Sequence, residues 1–389
     1  MIQREITSEL LASAREYPAV TILGPRQSGK TTLSQMVFKD KPYYSLEDPD
    51  IRTAAATDPR GFLAQFPNGA ILDEIQRLPA LLSYLQGIID RTGKTGMFIL
   101  TGSHQPELHQ SISQSLAGRT AILTLLPHSL RELQNYSLVW DPFELIVKGS
   151  YPRLHANRLK PTRFFSGYVQ TYVERDVRAL VNIKDLRAFQ QFLTLLAGRI
   201  GQVINYSSLS NDIGVSATTI KSWIGVLKAS FVAWELPPYF ENIKKRVVKS
   251  PKIYFCDTGL ASFLLGIETA AQAARDPLRG ALFENLVLLE ILKNQFNSGR
   301  RPELFFYRDT NGNEVDLIIK HSRRLIPVEI KSAATFHPRF MRGIERFRKV
   351  AGDHRCEAGH IIYSGDQNLS LKGIRIYNPF ASGVFVQGS

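Results

Sequence analysis

Residues 24–31 read Gly24-Pro25-Arg26-Gln27-Ser28-Gly29-Lys30-Thr31, directly after the apolar run Ala19–Leu23 and before Thr32. The two glycines permit a tight strand-to-helix turn whose backbone N–H groups face a concave cradle suited to phosphate oxygens. Lys30 can reach the β- and γ-phosphates, and the Thr31 hydroxyl can sit on Mg²⁺. A turn that binds nothing can carry the same glycines, so a second motif must decide. Gly69–Glu74 supplies one, a short apolar strand ending in two carboxylates. At the carboxyl end of a parallel strand, Asp73 would hold Mg²⁺ through water and Glu74 would polarise the attacking water as general base. Together these residues predict that the chain binds and hydrolyses ATP.

The elements that must position them follow in order. A third apolar strand, Met97–Leu100, runs into Thr101-Gly102-Ser103-His104. There Ser103, or failing it Thr101, could orient the lytic water. Leu116-Ala117-Gly118-Arg119 precedes a fourth apolar run, Ala121–Leu126. Arg119 could neutralise transition-state charge in cis or from a neighbouring subunit, or could be a surface arginine; spacing leaves these open.

The middle of the chain has a different texture. Phe164–Leu180 reads as one helix carrying Glu174-Arg175-Asp176, and Gln190–Ile200 as an amphipathic helix. Tyr206–Ile213, the turn at Gly214 and a helix over Ala217–Lys228 capped by Ser216 make a helix-turn-helix pattern. Strands at Phe231–Leu236 and Lys252–Phe255, flanking the basic Lys244–Arg246 loop, would form the wing of a winged helix. Thr218, Thr219, Lys221 and Ser222 would then face bases or phosphates, although many such domains pack against protein instead.

The last part holds a second constellation. Leu282–Lys293 is a helix pattern carrying Glu284, Leu304–Tyr307 is strand-like, and Asn311-Gly312-Asn313 makes a turn. Glu314–Ile319 is a strand with Asp316 inside it, and Leu325–Ile330 a second strand running into Glu329-Ile330-Lys331. Period-2 geometry puts Glu329 and Lys331 on one face. If the two strands pair, Asp316 and Glu329 can share one Mg²⁺, with Lys331 placing water or stabilising negative charge and Glu284 completing the metal shell. A solvated strand edge, or a fold used only for binding, would carry the same letters.

Thr21–Thr32, Leu72–Gln76, Leu100–Ser103 and Ser115–Arg119 together resemble a prokaryotic family of AAA-type P-loop ATPases. Members carry a C-terminal domain of unknown function similar to PD-(D/E)XK nucleases. The order Glu284, Asp316, Glu329-x-Lys331 resembles the Holliday-junction-resolvase branch of those nucleases. The resemblance implies an ATPase with an N-terminal parallel sheet and a restriction-endonuclease-like α/β domain at the other end.

Composition constrains the setting. The chain has 389 residues and a net charge of +13, which favours polyanionic partners such as DNA. Basic residues gather at Lys244-Lys245-Arg246 with Lys249 and Lys252, at Arg300, Arg301 and Arg308, and at Arg339, Arg342, Arg346, Arg348 and Lys349. No apolar run reaches the roughly 18–20 residues of a membrane span, no signal peptide is legible at the start, and two cysteines give no disulfide framework. A reducing cytoplasm is therefore expected. His354, Cys356 and His360 lie close in sequence, but as loose, mixed ligands they are assigned no zinc. The expected architecture is an α/β chain of three parts. A P-loop ATPase occupies 1–160, a helical and winged-helix domain 161–265, and a nuclease-like domain 266–389. ATP and Mg²⁺ are the expected cofactors, DNA the expected partner, and an oligomer is open. The expected function is ATP-dependent binding and processing of DNA. The alternative is a nucleotide-switched regulator that binds DNA or protein through an inactive nuclease-like domain.

Overall fold

Strand β1 (Ala19–Gly24) is buried along its whole length, as a run of apolar residues with no polar face requires. Its odd and even positions feed two cores. Ala19 and Leu23 pack with Leu72, Phe98 and Leu100, while Val20 and Ile22 pack with Ile71, Ile99 and Leu123. In this computed structural model, which describes residues 2–103, 106–136, 141–173, 185–240, 249–380 and 385, β1 lies within a five-stranded sheet. The other strands are β2 (Tyr43–Ser45), β3 (Ile71–Asp73), β4 (Phe98–Ser103) and β5 (Thr120–Thr124), in the order β2-β3-β4-β1-β5. Every pairing is parallel, so the carboxyl ends of all five strands share one edge. Leu33 of the Lys30–Val37 helix joins one core, and Leu81, Leu82, Leu85 and Ile89 of the Leu81–Thr92 helix join the other. Helices on both faces are what an all-parallel sheet needs.

The chain divides into two compact units, one built from 1–128 with two short later segments and the other from the remainder. The division falls near 128, earlier than the boundary expected at 160, and 161–265 and 266–389 share one unit. Hydrogen bonds explain the shift. Asp257 accepts from Ser150 N (2.8 Å) and Ser150 Oγ (2.9 Å), and the Thr258 and Ser262 hydroxyls donate to the carbonyls of Leu145 and Ile146. The segment after 128 is thereby tied to the Thr258–Leu264 helix.

In the second unit, helices span Leu186–Ala197, Tyr206–Ile213 and Ala217–Ala229. Gly214 ends the second of these in a left-handed conformation (φ 80°), and Ser216 Oγ accepts from Thr219 N at 3.0 Å to start the third. Strands β6 (Ala233–Leu236) and β7 (Lys252–Phe255) form an antiparallel pair, which Val203 extends by one bridge to Lys252. A six-stranded mixed sheet follows, from β8 (Leu304–Arg308), β9 (Glu314–His321), β10 (Arg324–Lys331), β11 (His360–Tyr363), β12 (Leu369–Leu371) and β13 (Ile374–Tyr377). Its order is β12-β13-β11-β10-β9-β8. β8, β9 and β10 form an antiparallel meander, and the Arg342–Ala351 helix crosses to β11, parallel to β10. The three strands from β11 onward have no counterpart in the sequence reading.

Other departures are local. The helix expected over Phe164–Leu180 is α-helical over Pro161–Tyr168 and widens into a π-turn at Val169–Val173. Glu174-Arg175-Asp176, His104, Trp140 and the Lys244–Arg246 loop lie outside the described residues. Cys256 is a buried free thiol. Among the described residues no helix is long and apolar enough to cross a membrane.

Candidate functional site

Residues Pro25, Arg26, Gln27, Ser28 and Gly29 turn from β1 into the Lys30–Val37 helix, with Gln27 (φ 62°) and Gly29 (φ 94°) in the left-handed region. A Cβ at Gly24 would stand 2.1 Å from the carbonyl oxygen of Leu125, so only glycine fits there. No side chain caps the helix N-terminus, which leaves its first N–H groups without a side-chain acceptor. Lys30 is buried, and its ammonium donates to the carbonyls of Gly24 (3.1 Å) and Pro25 (2.7 Å). Thr32 lies exposed in the first turn.

Parallel register brings the other residues to this edge. Gly24 pairs with Ser103, and Ser45 with Asp73. The Asp73 carboxylate is ringed by hydroxyls. Thr31 donates to it at 3.0 and 3.1 Å, Tyr43 at 2.9 Å, and Thr101 completes the ring. Burial, with Asp73 beside it, holds the Tyr43 phenol above its ordinary pKa. Glu74, in a left-handed conformation (φ 57°), accepts from the Gln76 amide. Left-handed backbone at a non-glycine residue concentrates at functional sites. Gln27 Oε1, Ser28 Oγ, Gln76 Oε1 and Ser103 Oγ are all buried and make no hydrogen bond, a collection of orphaned polar atoms that calls for an explanation. Thr101 is engaged with Asp73, whereas the Ser103 hydroxyl is uncommitted.

Arg119 requires a correction. Its carbonyl accepts from Ala19 N, so it stands at the amino end of β1, five residues or about 16 Å from the loop. Its guanidinium grips Asp90 at 2.6 and 2.9 Å. An arginine finger in cis is excluded by this placement. The sequence reading also missed Arg4, which is buried and donates to the carbonyls of Ser28 (2.8 Å) and Leu126 (2.7 Å). Lone residues such as Arg4 and Tyr43 carry no spacing signal; only the folded chain shows what they touch.

In the second unit, antiparallel pairing of β9 with β10 sets Val328 opposite Leu317, which brings Asp316 beside the end of β10. Lys331 Nζ lies 2.9 Å from Asp316 and 2.8 Å from Glu329, and Ile330 N donates to Asp316 at 2.8 Å. Burial and the nearby Asp316 push the Glu329 carboxyl up to about 8. Burial also opposes ionisation of Asp316, but Lys331 and Lys252 outweigh it and hold that carboxyl below its usual range. Glu329 Oε2 is buried without a partner. Asp316, Glu329 and Lys331 thus come together, but Glu284 does not complete a three-carboxylate shell. Among the described residues no three His, Cys, Asp or Glu side chains converge to hold one ion, and Glu284 is taken by Lys252 at 3.0 Å and by the Tyr254 hydroxyl. Burial raises the Glu284 carboxyl against the pull of Lys252. Lys252 itself is buried between Glu284 and Glu314, so it belongs to this cluster and not to a solvent-facing basic patch. Arg308 likewise lies 3.7 Å from Glu314.

Comparison with known proteins gives this arrangement a context. Residues 16–134 match the AAA domain family, 139–271 a domain of unknown function (DUF8612) and 279–382 another (DUF4143). Uncharacterized proteins of Mycobacterium tuberculosis (Rv2008c) and Mycobacterium bovis (Mb2031c) are each 31% identical over 392 residues, covering 100% of this chain and 85% of their own length. The chain belongs to the family of these mycobacterial proteins. The first unit is accordingly an ATPase-like P-loop fold of AAA type. Among solved structures, the Walker-type ATPase PABY2304 of Pyrococcus abyssi is similar at 16% identity and a TM-score of 0.44, covering 68% of this chain and 96% of that one.

Proposed function

We propose that the protein is a Mg²⁺-dependent ATPase that binds and processes DNA. The observation that carries the ATPase reading is Thr31 at 3.0 Å from Asp73, one residue after the loop lysine. Hydroxyl and carboxylate oxygens are the hard donors that Mg²⁺ takes, and the orphaned polar atoms beside them fit a bound nucleotide. Bound there, Mg²⁺ would neutralise charge on the β- and γ-phosphates. Lys30 would leave the loop carbonyls for phosphate oxygens, Ser103 would orient the attacking water, and Glu74 would accept its proton.

In the second unit, the helices Leu186–Ala197, Tyr206–Ile213 and Ala217–Ala229 with the β6–β7 pair are read as a winged helix. Thr218, Lys221 and Ser222 are exposed on the third helix and, with Thr219, would meet DNA. The six-stranded sheet with the Arg279–Asn297 helix is read as nuclease-like. Asp316 and the unpaired oxygen of Glu329 would hold a divalent cation, which would activate water, and Lys331 would stabilise negative charge on the phosphate. The cytoplasm is the setting of this reading. ATPase and cleavage assays on duplex, forked and four-way DNA, with and without Mg²⁺, test it. DNA affinity should fall with salt at a log–log slope of about −0.9 per phosphate contact, and replacing Lys244, Lys245 and Arg246 should flatten it. Salt-independent affinity would remove the DNA reading. The engagement of Glu284 by Lys252 favours the competing reading, a nucleotide-switched binding protein with an inactive nuclease-like domain. Slow turnover unmoved by DNA, with no nicking, would select it.

A further inference from the structure

Lys252 is 3% exposed and lies between carboxylates from two different elements, 3.0 Å from Glu284 on the long helix and 2.7 Å from Glu314 on β9. Two residues along the same face of β7, Tyr254 donates its hydroxyl to the same Glu284 oxygen, Oε1. A buried ammonium persists only where its charge is matched. Here the match occupies the Glu284 carboxylate, whose charge also acts on Asp316 and Glu329. We propose that Lys252 and Tyr254 are positioning residues that withhold Glu284 from the divalent-cation shell of Asp316 and Glu329, so that the β6–β7 hairpin sets the cation affinity of that site. This rests on the cation-site reading above.

The physical case has two parts that point the same way. An ammonium near the site repels a divalent cation through poorly screened surroundings, and a carboxylate already accepting from an ammonium and a phenol has its negative charge spent. Removing Lys252 relieves both. Lys252 and Tyr254 belong to the strand pair that follows the three helices, while Glu284, Glu314, Asp316 and Glu329 belong to the long helix and the six-stranded sheet. Lys252 further stands 5.5 Å from the ring centre of Phe306 on β8, and Tyr239 N donates to the Phe306 carbonyl at 2.8 Å. The hairpin is thus seated against the same sheet that carries the carboxylates.

The test is Mn²⁺ binding to the nucleotide-free full chain, followed by electron paramagnetic resonance of the free ion. The wild-type protein should bind an ion that is lost in Asp316→Asn. Lys252→Met should tighten binding by about tenfold or more, Tyr254→Phe by about two- to threefold, and Lys252→Arg, which keeps the charge, should stay near wild type. Glu284→Gln alone should change little, but combined with Lys252→Met it should remove the larger part of the gain, leaving only the part due to the lost ammonium. A folded Lys252→Met protein with unchanged or weaker binding overturns the proposal, as does a gain that Glu284→Gln leaves undiminished. Should Lys252→Met fail to fold, Tyr254→Phe with and without Glu284→Gln decides: absence of a Glu284-dependent gain overturns it. No Asp316-dependent Mn²⁺ binding in the wild type would instead bring down the cation-site reading itself, a result distinct from failure of the Lys252 variants.

Discussion

The phosphate-loop site and the carboxylate cluster handle buried negative charge in opposite ways. At the loop, the hydrogen bonds to Asp73 come from three neutral hydroxyls, those of Thr31, Tyr43 and Thr101, while Lys30 is turned to backbone carbonyls. In the second unit, Glu284, Glu314, Asp316 and Glu329 are bridged by two lysines, Lys252 and Lys331. Hydroxyls stabilise a carboxylate without cancelling its charge. Ammonium groups cancel it, so the second site is largely compensated from within. The difference also follows from assembly. The first site draws on strand ends that parallel pairing aligns, whereas the second gathers residues from a helix, a hairpin and two sheet strands.

The comparison can be broken at its strongest point first. Lys30→Ala should abolish nucleotide binding, whereas Glu74→Gln should retain binding and lower turnover at least ~10²-fold. Normal hydrolysis by Glu74→Gln, measured as phosphate release, would place the base elsewhere. In the other unit, Asp316→Ala and Lys331→Ala should each eliminate any Mg²⁺-dependent cleavage while ATP turnover stays within about twofold of wild type. Cleavage surviving both substitutions would belong to another site.

A subtler difference lies in pH. The Glu329 carboxyl is raised to about 8 by burial and by Asp316, above its value in an unfolded chain. The folded protein therefore holds the extra proton, and stability should fall as pH rises from about 5 to 8, with a slope up to about 1.4 kcal/mol per pH unit. Denaturant titrations of the second unit's transition in chelator should show this slope, and Glu329→Gln should remove it. The smallest effect is at Arg119, where Arg119→Ala should leave the turnover of isolated chains within about twofold. A large loss appearing only at concentrations where chains associate would assign Arg119 to a neighbouring subunit.

Contiguous or periodic features were legible without the fold. The loop from Gly24 to Thr31 is a local turn whose glycines and lysine are fixed by spacing, and Asp73, with Glu74 just after it, ends a strand whose apolar run marks it as buried. Tyr206–Ile213, Gly214 and Ser216 were likewise readable, because capping and left-handed turns are decided by neighbouring residues. Even Asp316, Glu329 and Lys331 could be named, since alternation along a strand is a property of the chain.

Partnership across the fold was not legible. Arg119 sits beside an apolar run like the other site residues, and only parallel register shows it to be at the wrong end of β5. Tyr43 reaches Asp73, and Arg4 the loop, from segments with no motif. Lys252 reads as one more member of a basic stretch, yet tertiary packing buries it and gives it Glu284 and Glu314. Local propensity and spacing act over a few residues, and the sequence by itself therefore determined the strands, turns and chemical types of both sites. Which charges meet depends on how distant elements pack, and desolvation makes each such meeting obligatory, so the tertiary structure alone decided that Glu284 faces a lysine.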